Sequence, residues 1–125
     1  MKLPYSISRD VEALITFLTP EEGGRNTPCR TGYSVQFFLD QQDWEADFAF
    51  PDREEVYPGE IVTAQIGFLR PEIHVKLGNI KVGKEFLLRE GSRVVARGRI
   101  TRILDLAANA KKAEAGGYRL RRQSS

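Results

Sequence analysis

Short runs of alternating apolar and polar side chains, punctuated by glycine and proline, confine this chain to sheet architectures more tightly than any other feature. Tyr33 to Leu39 sets Val35, Phe37 and Leu39 on one face and Ser34, Gln36 and Phe38 on the other, the period of two that a half-buried strand requires. Val11 to Leu18 is an apolar, β-branched run that ends at Thr19-Pro20. Trp44 to Phe50 alternates more weakly as a third strand, and Ile61 to Leu69 is a long run that Pro71 stops or bends. Phe86 to Arg89 and Arg93 to Leu104 read as strands joined at Glu90-Gly91-Ser92, with glycine at the centre of the turn. Asp40 to Asp43 makes a polar turn, Pro51 to Glu55 a loop, and Tyr57-Pro58-Gly59-Glu60 a turn. This punctuation, without a convincing helical period, indicates an all-β sandwich or barrel.

After Leu104 the pattern changes. Asp105 to Ala115 is rich in good helix formers and runs into Gly116-Gly117, which predicts a short helix, and Tyr118 to Ser125 is a basic tail expected to be flexible. A chain of 125 residues, 41% hydrophobic, suits a single domain with one core.

Function classes narrow next. Met1 to Ser6 lacks an apolar run of signal-peptide length, and no segment reaches the roughly 20 apolar residues of a membrane span, so the expected location is cytoplasmic with no membrane contact. Cys29 is the only cysteine, which rules out an intramolecular disulfide, and it reads as a small packing residue rather than a nucleophile. His74, the only histidine, is distant from it in sequence, so no His/Cys cluster has metal-ligand spacing, and His74 is expected at the surface or partly packed. No motif sets a Ser, Cys or Thr beside an oriented base. The carboxylates between Asp40 and Glu60 read as solvated rather than as an acid/base pair. The expectation is a non-enzyme without cofactor or metal.

The net charge of +2 hides a division by region. Asp40, Asp43, Glu45, Asp47, Asp52, Glu54, Glu55 and Glu60 face only Arg53, whereas Arg70 to Arg102 is mostly basic and the tail adds Lys111, Lys112, Arg119, Arg121 and Arg122. Such a molecule can steer a polyanion to one side, although solvated strand faces give the same count.

The stretch Thr19-Pro20-Glu21-Glu22-Gly23-Gly24-Arg25-Asn26-Thr27-Pro28, followed by Gly32-Tyr33 and Gln36-Phe37, is too specific for generic loop composition. It resembles the opening of the C-terminal, third domain of elongation factor Tu. Pro58-Gly59, Pro71, Phe86-Leu87-Leu88-Arg89-Glu90-Gly91, Arg93-Val94-Val95 and Arg102-Ile103-Leu104 extend the resemblance. It implies a closed, six-stranded antiparallel β-barrel over 10–104, preceded by an N-terminal segment, 1–9, and followed by a helical, basic C-terminal tail, 105–125. Elongation factor Tu carries a nucleotide-binding domain and a second barrel ahead of this one. The sequence given has neither, nor a Gly-x-x-x-x-Gly-Lys-Ser/Thr phosphate loop, so a free-standing copy without nucleotide or GTP hydrolysis is expected.

In elongation factor Tu the face with the Gly-Gly-Arg loop and the Gln-Phe strand touches the nucleotide domain on one side and aminoacyl-tRNA on the other. Carried over, the positions are Gly23, Gly24, Arg25, Thr27, Tyr33 and Gln36, with Arg25 suited to bidentate phosphate or carboxylate recognition. The structural alternative is that the glycines permit the turn, Arg25 pairs with Glu21 or Glu22, and Tyr33 is core. Asn26 replaces the usual histidine and Cys29 the usual aromatic. The link from Pro71 to Phe86 is about six residues longer than in the family, which suggests an added hairpin about Gly78-Asn79 carrying Lys76, Lys81 and Lys84 as a contact arm or a solubilised edge. Arg97-Gly98-Arg99 stands where small or apolar residues are usual. Alternation places both arginines on one face and Val94, Ala96 and Ile100 on the other. Either a patch once covered by a neighbouring domain has become charged, or these arginines and Arg119, Arg121 and Arg122 hold RNA phosphates. Two functions compete: an RNA-binding module for tRNA or another RNA, and a protein-interaction module that engages a translation-factor partner.

Overall fold

Six of the runs close on one another and leave no sheet edge between them. The computed structural model describes residues 7–117. In chain order the strands are β1 (Val11–Phe17), β2 (Cys29–Arg30), β3 (Tyr33–Leu39), β4 (Gln42–Ala49), β5 (Glu55–Val56), β6 (Ile61–Phe68), β7 (Glu85–Glu90) and β8 (Arg93–Ile103). The barrel order is β1-β6-β4-β3-β7-β8, with every pairing antiparallel. This is the all-β, closed six-stranded barrel expected above.

Alternation fills its interior. Val11, Ala13, Ile15 and Phe17 of β1 point inward, as do Val35, Phe37 and Leu39 of β3. Phe37 stacks on Phe86 at 4.3 Å between ring centroids and meets Phe68 edge-on at 5.0 Å. Space for Phe86 comes from Gly98, where a Cβ would lie 2.4 Å from the Phe86 ring. The β3–β4 turn is tighter than the sequence suggested: Leu39 pairs with Gln42, and Asp40 and Gln41 both take positive φ (51° and 67°), the two-residue hairpin whose twist suits the strands.

Several expectations are corrected. The segment after Pro71 is not a hairpin about Gly78-Asn79 but a helix, α1 (Pro71–Leu77), closed by Gly78. Pro71 ends the strand run by starting this helix, where its missing N–H costs nothing. The helix carries no apolar period in the sequence because its buried residues are Pro71 and His74 rather than two aliphatics. His74 is accordingly not a surface residue. It is 1% exposed, its ring lies 4.5 Å from that of Trp44 and 4.3 Å from that of Phe68, and Nδ1 is 3.1 Å from Asn79 Oδ1. The supposed loops 21–32 and 51–55 contribute β2 and β5, which pair as a small second sheet that buries Cys29. On β8 an irregularity opposite Leu88 and Arg89 turns Val95 inward beside Ala96, and Val94 is left half-buried.

The helix expected after Leu104 is α2 (Leu106–Lys112), continued by a wider turn, Ala113–Gly117. It packs on α1. Asp10, fully buried, fastens it to the barrel: Oδ1 accepts from Asn109 Nδ2 at 2.7 Å and Oδ2 from the Phe68 amide at 2.7 Å.

Candidate functional site

The Gly-Gly-Arg loop is built as a rigid bracket. Thr19 caps a turn of 3-10 helix, Pro20–Glu22: its Oγ1 accepts the Glu22 amide at 3.2 Å, and Glu22 Oε1 accepts the Thr19 amide at 2.9 Å. Gly23 closes that turn at φ 96°, and a Cβ on Gly24 would lie 2.4 Å from the Leu18 carbonyl oxygen, so both glycines serve the backbone path.

That path delivers Arg25 to a carboxylate 65 residues away, not to Glu21 or Glu22. Its Nη1 donates to Glu90 Oε2, Nε to the Thr27 carbonyl at 3.2 Å, and Nη2 to Thr27 Oγ1 at 2.9 Å and the Pro28 carbonyl at 3.4 Å. The guanidinium also lies 5.1 Å from the Tyr33 ring centroid. Tyr33 donates to Glu90 Oε2 at 2.6 Å, and Arg93 reaches Glu90 Oε1 at 3.3 Å. Burial alone would push the Glu90 carboxyl up, but the hydrogen bonds from Tyr33 and Arg25 outweigh it and hold the group below the usual carboxylate range. Tyr33 is pushed well above the ordinary phenol value by burial and by that carboxylate. Burial pushes the neighbouring Cys29 thiol up to about 11, so it stays protonated at neutral pH and is a poor nucleophile.

Gln36 is not part of this clasp. It lies farther along β3, opposite Arg89 and Glu45. Arg97 and Arg99 do share an exposed face, as alternation required. On the outside of the barrel Arg97 stands between Thr16 of β1 and Leu87 of β7, and Arg99 between Leu14 and Glu85. Phe38 and Asp40 complete a groove of about 460 Å³. Leu14 is 39% exposed, and Asp40 is engaged by Lys84 Nζ at 3.0 Å. Arg97 also reaches electrostatically to Glu22, whose carboxyl is held low first by the Thr19 amide. The loop and the groove are therefore neighbours.

Arginine pairing separates the two places. Arg25, Arg30, Arg53, Arg70, Arg89, Arg93 and Arg102 each bind a carboxylate. Among the described residues Arg97 and Arg99 enter no salt bridge. Arg119, Arg121 and Arg122 lie outside the described residues.

The family model of the elongation factor Tu C-terminal domain matches residues 4–104, and the barrel and bracket fall within that span. The chain belongs to this family. Membership ties this elongation factor Tu-like barrel to translation, and it sharpens what sequence reasoning missed. Glu90 is the hub of the clasp, yet it drew attention only as part of the Phe86-to-Gly91 resemblance, because a pairing across 65 residues has no local signature. Leu14, Phe38 and Leu87 were read as strand residues, and only closure of the barrel sets them around the arginines. Gly78-Asn79-Ile80-Lys81-Val82-Gly83-Lys84 nearly spells a phosphate loop, but Glu85 stands where Ser or Thr would be. The segment leads from a helix into a strand, the reverse of that motif's context.

Proposed function

We propose that this elongation factor Tu-like barrel is a protein-docking module of the translation machinery, and that its partner sits on the outer face of β1, β8 and β7. The observation that carries the reading is the contrast in arginine use. Among the described residues Arg97 and Arg99 enter no salt bridge and stand beside exposed Leu14 and half-buried Phe38 and Leu87, whereas four of the donors of Arg25, suited by type to a phosphate, already serve Glu90, Thr27 and Pro28. Apolar contact area edged by charges of both signs suits a protein interface. A continuous phosphate backbone would meet Glu22 near Arg97 and Glu85 and Asp40 near Arg99, and like charges brought together oppose it. In elongation factor Tu the neighbouring face, with the Gly-Gly-Arg loop, touches the nucleotide domain, and a protein surface of that kind is the occupant proposed here for the groove. No step in this reading is catalytic, and no nucleotide, cofactor or metal is required.

The test uses the first two domains of elongation factor Tu, prepared as a fragment without the third, as the probe in sedimentation velocity. Saturable complex formation, weakened about tenfold or more by Arg97→Glu, is expected, a change of roughly 1.4 kcal/mol. The competing outcome is saturable tRNA binding whose logarithm falls steeply with salt and which Arg25→Ala reduces. That result, without fragment binding, replaces docking by RNA recognition.

A further inference from the structure

Resting on the docking reading, we infer that the groove between β1 and β7 recognises an extended, acidic segment of the partner, with two carboxylates on one face and an apolar side chain beside them. Arg97 and Arg99 are two residues apart on one strand and both exposed, so their backbone origins are separated by about 6.6 Å. An extended peptide repeats its side chains at the same interval. Acidic residues at alternate positions would therefore meet the two guanidinium groups in register, each able to form a charge-assisted, two-pronged hydrogen bond.

The fold dictates that this recognition runs through side chains. From Ala96 to Arg99 β8 is paired with β1 on one side and β7 on the other, so at the groove its backbone has no free edge to which a visiting strand could add. What remains is the outer surface, where Thr16 and Leu87 flank Arg97, Leu14 flanks Arg99, and Phe38 closes the far wall. A volume of about 460 Å³ accommodates a few side chains and not a helix about 10 Å across.

Charge sets the length of the segment. Glu85 pairs across the ladder with Arg99, and Asp40 lies at the same end of the groove. At the other end Arg97 is within electrostatic reach of Glu22. The positive stretch is thus two residues long, with Glu85 and Asp40 at the Arg99 end and Glu22 within electrostatic reach of Arg97, which favours two acidic side chains two residues apart, with an apolar one at the next position on the same face, over any uniform polyanion. Lys84, held by Asp40, leaves Glu85 as the carboxylate that would repel a third acidic side chain.

The experiment is an amide NMR titration of the full chain with three probes: a blocked peptide Glu-Ser-Glu-Ser-Leu, whose two glutamates and leucine share one face when extended, its lysine-for-glutamate counterpart, and a single-stranded uridylate oligomer of matching length. The expected result is saturable shifts for the glutamate peptide at Leu14, Thr16, Phe38, Leu87 and Arg97 to Arg99, with affinity at least about tenfold weaker for the variant R97E/R99E. The rest of that variant's spectrum should be unchanged, which verifies its fold. Absence of saturable shifts, equal response to the lysine peptide, or tighter binding of the oligomer at these amides overturns the inference. The two proposals fail separately. Should the two-domain fragment bind the double variant as well as it binds the wild type, docking stands and the acidic segment is refuted. Should the glutamate peptide bind while the fragment does not, the groove chemistry stands and the choice of partner is wrong.

Discussion

Two arginine sites on one barrel surface are used in opposite ways. Arg25 arrives in the loop that most resembles the family and is consumed by the protein itself, with Glu90, Thr27 and Pro28 as acceptors and Tyr33 beneath it. Arg97 and Arg99 stand on the outer face of β8, and neither is in a salt bridge. The comparison teaches that a conspicuous motif can be architecture, while the proposed interface lies outside it. What decides is the acceptor, which in the clasp comes from a strand 65 residues away.

If that division is right, the stability cost of mutation belongs to the clasp. Glu90→Ala removes the shared acceptor of Arg25, Tyr33 and Arg93, and the half-buried Tyr33 hydroxyl loses its partner. A loss of about 2–3 kcal/mol in urea unfolding is expected, discounted for the partial exposure of the pair. Arg97→Ala and Arg99→Ala should stay within about 0.5 kcal/mol of wild type. Equal costs at the two sites would erase the comparison.

A second substitution, inside the groove's own strand, sharpens it. Gly98 lies between Arg97 and Arg99 but serves the core, since its Cβ would lie 2.4 Å from the Phe86 ring and 3.1 Å from the Leu14 carbonyl. Gly98→Ala should therefore cost about 1–3 kcal/mol by overpacking, although its neighbours tolerate change. Thermal unfolding of the three single variants checks this directly. A neutral Gly98→Ala would mean that Phe86 shifts without penalty.

These cases also define what could be read beforehand. Period-two alternation in Tyr33 to Leu39 and the glycine turn before Arg93 gave the barrel strands, because a strand's faces are a local property. Resemblance supplied closure and strand number, which alternation alone left open between sandwich and barrel. α1 stayed hidden since its buried side chains are a proline and a histidine, which carry no hydrophobic period. β2 and β5, two residues each, are too short to show alternation. The groove is a product of closure: Leu14 is far in sequence from Leu87 and Arg97 and joins them only where β1 meets β8. The bulge that turns Val95 inward likewise depends on the partner strand.

The smallest expected effect concerns pH and again separates clasp from groove. Glu90 is held below its ordinary value of 4.5, its hydrogen bonds to Tyr33 and Arg25 outweighing burial, so the folded state binds the proton less readily than the unfolded chain. Its contribution is complete above about 4.5 and is lost as pH falls through the depressed folded value. His74 is lowered from 6.5 by burial, in part offset by Asn79. The fold prefers it neutral, so stability is full above about 6.5 and declines as the pH drops below that point toward the folded value. Two limbs should therefore appear in the unfolding midpoint between neutral and acidic pH, the upper one from His74 and the lower one from Glu90. His74→Gln should flatten only the upper limb, and Glu90→Gln only the lower. In the variant R97E/R99E both wild-type limbs should persist, because neither arginine contacts His74 or Glu90. If removing the two groove arginines changed the lower limb as much as Glu90→Gln does, the two regions would be electrostatically one site, and the separation of architecture from interface would have to be redrawn.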